Sequence, residues 1–263
     1  MKITVIGGGN IGGAIVEGTI SKGVVEPEDI TVSDPKDTLV KKLEKQGIKV
    51  RHTTSNVQGI KDANLVIVAV EPEIGEKVLS ELSKTFDPRT QALVSVMRGV
   101  TFDELEAALA PRRPGKLSVY RVIPNTAIAF GRSMTFIARR NTSLEHDQMV
   151  EKLFWALGHV FRIEESDTTA SSALASSGIA YILRYIDSAA KGGEAMGIDR
   201  KKAQQIVMMT IKGALALLEA SGNSPQEEID KVTTPGGVTL KGLAEMDKLG
   251  FTDAVIKGLL ATK

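Results

Sequence analysis

Cysteine is absent from the 263 residues. That excludes disulfides, a thiolate nucleophile and any zinc centre with sulfur ligands, and it fits a reducing compartment. Histidine is scarce. His52, His146 and His159 are the only three, and no two stand at ligand spacing, so no histidine-based metal centre is expected. Neither sign of charge is in excess: 33 Lys and Arg oppose 32 Asp and Glu, for a formal net charge of +1. This removes the main argument for a nucleic-acid partner, since phosphate binding needs clustered cations. Long apolar runs are missing too. The longest, residues 65–70, falls far short of the roughly 18 residues that a membrane helix needs. Only Ile3-Thr4-Val5-Ile6 precedes a glycine cluster, too short a stretch for the apolar centre of a secretory signal. These absences predict a cytoplasmic protein with no membrane and no nucleic-acid partner.

What is present is an ordinary globular composition, 42% apolar and 25% charged, enough to bury a core. The first part alternates strand and helix patterns. Strands are predicted over 3–6, 30–32, 48–50, 65–70, 92–96, 117–122 and 134–138. Helices are predicted after the glycine cluster, over 36–46, over 73–84 and over 101–110, the last with a Thr101/Glu104 capping-box pattern. The run 65–70 is apolar throughout, as in a central parallel strand covered on both faces. This order predicts an α/β Rossmann-like, doubly wound sheet over residues 1–164. Beyond it strand patterns vanish. Helices are predicted over 167–196, 200–220, 224–232, 238–248 and 252–261, so residues 165–263 form an all-α domain. Its long apolar helices exceed what one sheet domain covers, which predicts at least a homodimer.

Gly7-Gly8-Gly9-Asn10-Ile11-Gly12 fits G-x-G-x-x-G between a strand and a helix. Glycines allow the tight turn and the close approach of backbone N–H groups to a pyrophosphate, which the helix dipole then stabilises. Asp34 ends the second strand at the distance where a carboxylate accepts hydrogen bonds from an adenosine ribose, and it would repel a 2′-phosphate. Ser33 and Lys36 stand beside it as groups able to hold a phosphate, so NADPH or NADH is the expected cofactor, with Asp34 leaning towards NADH. Asp34-Pro35 also suits a simple chain turn. Val70 and Pro72, at and just past the C-terminal end of the fourth strand, belong to the ligand crevice. Near the C-terminus, Thr234-Pro235-Gly236-Gly237 before a helical run suits a small anion such as a carboxylate, or a plain helix start.

Taken together, these segments resemble the pyrroline-5-carboxylate reductase family over nearly the full chain. The resemblance rests on the glycine loop, Ala69-Val70-Glu71-Pro72, Arg121-Val122-Ile123-Pro124-Asn125-Thr126 and Ser177-Gly178-Ile179-Ala180-Tyr181. It extends to Pro235-Gly236-Gly237-Val238-Thr239 and Gly250-Phe251. It implies a nucleotide-binding domain followed by a helical dimerisation domain that interleaves with a second subunit, as a homodimer or higher homo-oligomer. The implied reaction is hydride transfer to the C=N carbon of 1-pyrroline-5-carboxylate, a cyclic imine, giving L-proline. It implies a proton-donating role for Thr239, a substrate carboxylate on Thr234, Gly236 and Gly237, substrate contacts from Ser177 and Gly178, and an orienting role for Asn125 at the nicotinamide.

The chain departs from the family pattern at Glu71, where Lys is usual, at Ala127, where Pro is usual, and at Ile179, where Pro is usual. These departures leave two other readings: a related reductase acting on another imine, a ketone or a deazaflavin, and a nucleotide-binding relative without catalysis. Outside the motifs, His146 is expected at an exposed helix start and Trp155 in the core. Met208-Met209 is expected in the core or a subunit interface, and Arg112-Arg113 in a solvated loop.

Overall fold

The computed structural model describes residues 1–262, and the chain divides into two compact units, Met1–Ser176 and a second beginning at Ser177. The first unit is built on one eight-stranded sheet of order β3-β2-β1-β4-β5-β6-β7-β8. In chain order it comprises β1 (Ile3–Ile6), α1 (Asn10–Ser21), β2 (Ile30–Ser33), α2 (Thr38–Glu44), β3 (Arg51–Thr53), α3 (Asn56–Gly59) and β4 (Leu65–Val68). It continues with α4 (Pro72–Leu82), β5 (Ala92–Ser95), α5 (Phe102–Leu109), β6 (Ser118–Ile123), β7 (Ser133–Arg140), α6 (Leu144–Ala156), β8 (Gly158–Arg162) and α7 (Thr168–Ser171).

Read across the sheet, the strands from β3 through β2, β1, β4 and β5 to β6 run parallel, an arrangement that buries the central ones on both faces. β4 shows how an all-apolar run meets that need. Leu65 and Ile67 enter one core with Ile15, Val32 and Ile128. Val66 and Val68 enter the other with Leu79, Phe102 and Leu105. The alternation is the two-residue period of a strand, with apolar partners on each side. α1 covers the first face; α4 and α5 cover the second.

Several expectations need correction. The third strand lies at Arg51–Thr53, not 48–50. It is an edge strand whose Arg51 and His52 face solvent, so its pairing partner Thr31 decides its place and hydrophobicity does not. β7 runs antiparallel to β6 because a short connection carrying the 3-10 turn Thr126–Phe130 joins them. β8, which the sequence pattern did not mark, closes the sheet parallel to β7. His146 is buried, at 4% exposure, whereas Trp155 is 53% exposed, the reverse of the expected placement.

Residues 164–167 are held to the sheet by charge. The Arg121 guanidinium, 8% exposed, donates to the Glu165 carboxylate at 2.8 Å. The Phe102 N–H donates to the same oxygen at 2.8 Å, and Arg140 donates to the other oxygen at 3.3 Å. Arg140 also lies over the Phe102 ring, 4.8 Å from its centroid. The family-like segment beginning at Arg121 therefore opens with a structural side chain.

The helix expected over 167–196 is interrupted. After α7 the chain widens into a π-helical stretch, Ser172–Ser177, before α8 (Gly178–Ala195). The second unit is all helical: α8, α9 (Arg200–Ser221), α10 (Pro225–Val232), α11 (Val238–Lys248) and α12 (Phe251–Leu260). α8 and α9 form an antiparallel pair that approaches closely, since a Cβ at Gly193 would lie 2.9 Å from the Ala203 Cβ. Arg200 ties the pair by donating to Asp187 and to Glu194, the latter at 3.3 Å. Among the unit's described residues only Gly178, Ala190, Gly193 and Ala203 are buried. Met208 and Met209 are exposed within the single chain. No helix among the described residues is long and apolar enough to cross a membrane.

Candidate active site

The glycine loop leaves β1 with Gly7 at φ +99°, a conformation that a residue with a Cβ rarely adopts. A Cβ at Gly7 would lie 2.4 Å from the Ala69 carbonyl oxygen, and one at Gly12 would lie 1.9 Å from the Gly7 carbonyl oxygen. The loop is thus drawn tight against β4 and the start of α1. Gly9 differs: nothing lies within 4 Å of where its Cβ would stand. Gly9 is also the N-cap of α1, and no side chain caps that helix, so the N–H groups of its first turn at Asn10, Ile11 and Gly12 lack a capping partner. Beside them is a groove of about 610 Å³ lined by Gly8, Gly9, Asn10, Asp34, Lys36 and Lys42. Tight packing behind the loop and open space before it form the cradle that a pyrophosphate needs.

Asp34 faces this groove. One carboxylate oxygen accepts the Gly8 N–H at 2.7 Å, and the other accepts the Lys36 N–H at 2.7 Å. Ser33 does not join it. Its side chain is 2% exposed, and its hydroxyl donates to the Asn56 amide oxygen at 2.7 Å, so it is committed to the core side of β2. Three groups at this end escaped the sequence reading. Glu17 and Lys42 pair at 2.5 Å across the groove, and the His52 Nε2 lies 3.0 Å from the Asp34 carbonyl oxygen. Glu17 sits seven residues after Asn10, two turns along the same face of α1, which is a readable signal. His52 carried none, because the register of the edge strand brings it there.

Val70 packs at the rim of the second core, next to the glycine loop. Pro72 is the first residue of α4 and lines a different groove, of about 650 Å³, between α4 and α5 with Glu73, Arg98 and Glu104. Glu71, the N-cap of α4, makes no side-chain cap. Asn125 is buried, and its side chain makes two hydrogen bonds. Its amide oxygen accepts the Ala127 N–H at 3.0 Å, and its amide NH2 donates to the Ala175 carbonyl oxygen at 3.3 Å. Its side chain therefore holds the 3-10 turn and the π-helical stretch. Ser177 ends that stretch, half-buried, and Gly178 is buried at the start of α8.

In the second unit, residues 234–237 form a tight turn. The Gly237 N–H donates to the Thr234 carbonyl oxygen at 2.8 Å, Pro235 fills the second position, and Gly236 takes φ +75°. This is the type II turn that Pro-Gly encodes. Gly237 is then the N-cap of α11, again without a side-chain cap. The Thr234 hydroxyl stands 2.6 Å from where a Cβ of residue 237 would be. Thr234, Gly236 and Gly237 therefore surround one uncapped helix start, and Thr239 lies in its first turn with its side chain exposed. A hydroxyl and free N–H groups at a positive helix end make a seat for a carboxylate.

The large perturbations of acidity lie elsewhere. Burial and the Asp147 carboxylate push the Tyr120 phenol up, and Lys231, Asn223 and Ser221 hold Glu228 down to about 2. No cluster of three or more metal-ligating side chains occurs among the described residues.

Residues 165–263 match the family model described as Pyrroline-5-carboxylate reductase dimerisation, and residues 2–99 match the one described as NADP oxidoreductase coenzyme F420-dependent. Among curated relatives, the pyrroline-5-carboxylate reductase of Methanosarcina acetivorans is 33% identical over 97% of this chain and 94% of its own. Pyrroline-5-carboxylate reductase 1 of Dictyostelium discoideum is 31% identical over 99% of this chain, which spans about half of it, 48%. Among solved structures, 1-pyrroline-5-carboxylate reductase from Streptococcus pyogenes is 30% identical with a TM-score of 0.87, covering 100% of this chain and 96% of that one.

Proposed function

The chain belongs to the pyrroline-5-carboxylate reductase family, and from that premise we propose that it is an oxidoreductase that reduces 1-pyrroline-5-carboxylate to L-proline with NADPH or NADH. The observation that carries the reading is the pairing, in one chain, of an open glycine-loop groove with an uncapped Thr/Gly/Gly helix start. The cradle fits a dinucleotide, because Gly7 and Gly12 leave no room behind the loop while Gly9 faces open space. Gly7, Gly8, Gly9, Asn10, Ile11 and Gly12 would hold the pyrophosphate, Asp34 the ribose, and Val70 the crevice wall beside them. Ser33 is left out of this set, and Asn125 acts by positioning the turn and the π-helical stretch. When bound, the reduced nicotinamide supplies a hydride for the C=N carbon.

The chain's own residues bind and orient the imine. The helix start at Thr234, Gly236 and Gly237 takes the carboxylate through backbone N–H groups and one hydroxyl. The Thr239 hydroxyl donates a hydrogen bond to the ring nitrogen and relays to it a proton drawn from solvent as the carbon gains hydride. Ser177 and Gly178 serve the substrate side. Residues 165–263 assemble as a homodimer, and the protein works in the cytoplasm on a small molecule.

The test is dinucleotide oxidation followed with 1-pyrroline-5-carboxylate, for the native chain and Thr239→Ala. The native chain is expected to turn over. The variant is expected to lose roughly 10²-fold or more in kcat, the scale of general acid help, with dinucleotide affinity retained. No turnover by the native chain with either cofactor refutes the proposal, and an unchanged kcat in the variant removes Thr239 from it.

A further inference from the structure

We infer that this chain prefers NADH to NADPH, and that the Asp34 carboxylate decides the choice while also bracing the glycine loop; this rests on the dinucleotide reading above. The carboxylate is fixed. Its two oxygens accept separate backbone N–H groups, from Gly8 and from Lys36, each at 2.7 Å, so it cannot swing away from an incoming charge. Each oxygen keeps a further lone pair for another donor. A ribose offers two hydroxyl donors, which match that vacancy; a 2′-phosphate offers no donor and brings about two negative charges against a negative one.

The surroundings do not compensate. The Ser33 hydroxyl, the natural phosphate donor next in sequence, is buried and given to Asn56. Lys42 is paired with Glu17 at 2.5 Å and Lys41 with Asp37 at 2.9 Å, so each of these cations already has its own carboxylate. Lys36 and Thr38 also line the groove, and the Lys36 backbone N–H is already given to Asp34. The cofactor named in the description of the N-terminal family model, NADP, is therefore not the one this groove selects.

The bond to Gly8 gives the carboxylate its second task. The Gly8 N–H belongs to the loop that receives the pyrophosphate, so the group that reads the ribose also holds the phosphate cradle in place. Asp34→Asn separates the two tasks. Its amide oxygen still accepts the Gly8 N–H, the exposed Lys36 N–H turns to water, and the charge is gone.

The experiment is calorimetric titration of the intact protein with NADH and with NADPH, without imine. The native chain is expected to bind NADH at least about 10-fold more tightly, as juxtaposed like charges require. Asp34→Asn is expected to reduce that ratio by about 10-fold, by weakening NADH, whose ribose loses a charged acceptor, and by relieving the repulsion that NADPH meets. Equal or tighter binding of NADPH by the native chain overturns the inference, as does a ratio that Asp34→Asn leaves unchanged. If that variant does not fold, the native titration stands alone. A parallel assay separates the two readings. NADH preference without imine reduction sinks the proposed reaction and leaves this inference standing. Imine reduction with a higher kcat/KM for NADPH does the reverse.

Discussion

The Nδ1 of His146 lies 2.8 Å from the Ser118 hydroxyl, in a site that solvent barely reaches. Burial pulls its pKa below the ordinary histidine value, against the opposing pull of Glu145. The neutral ring is therefore favoured by the fold, while the unfolded chain takes up the proton near pH 6.5. The stability His146 contributes is complete above that pH and is lost as pH falls towards the depressed native value. Urea unfolding of the native chain is expected to show a midpoint that drops from pH 7 to pH 5, with a shallower drop in His146→Gln. Equal slopes for the two proteins would show that His146 does not carry the effect. The burial of His146 could have been read: His146, Val150 and Leu153 follow the 0, 4, 7 spacing of a buried helix stripe, which the polar neighbours obscure. Asp34 and the glycines were legible because their backbone geometry admits few alternatives. Ser33 was not, because the partner that takes its hydroxyl is Asn56, 23 residues further on.

Between Ile123 and Ser133 the chain relies on Asn125, whose side chain links two irregular elements, the 3-10 turn and the π-helical stretch. Asn125→Ala leaves the Ala175 carbonyl oxygen and the Ala127 N–H without these partners, a cost of roughly 1–3 kcal/mol for buried groups. Chemical denaturation is expected to report a loss of that size. A change under about 0.5 kcal/mol, the scale of a neutral surface substitution, would show that the two elements hold themselves. The elements followed the sequence where one physical demand dominated. β4 read as a strand because both faces are apolar, β1 because its run is short and rich in β-branched residues, and α5 read as a helix because the Thr101/Glu104 capping box is complete in the structure. β3 and β8 did not, since solvent faces them and only their register partners call for extended backbone. The π-helical stretch was illegible for another reason: Ser172, Ala173, Ala175 and Ser176 are small enough for either spacing, so composition does not choose between them.

The two units differ in how they hide apolar surface. The first encloses two cores about its sheet, whereas the second leaves Leu183, Tyr185, Met209, Val255 and Ile256 exposed. Isolated apolar residues at a surface are unremarkable, but this many on one all-helical unit with four small buried residues point to an interface. Sedimentation velocity is expected to find at least a dimer at micromolar concentration, and Val255→Glu together with Ile256→Glu to shift it towards monomer. A native chain that sediments as a stable, active monomer would refute the assembly.

The scarcity of buried residues in α8 to α12 also bears on how the molecule is made. In the proposed homodimer, a helical half without a core of its own reaches its final form by meeting another chain, so acquisition of that state contains a bimolecular step. Its speed depends on how many copies are present, and newly synthesised chains at low abundance spend longer with that half unfinished.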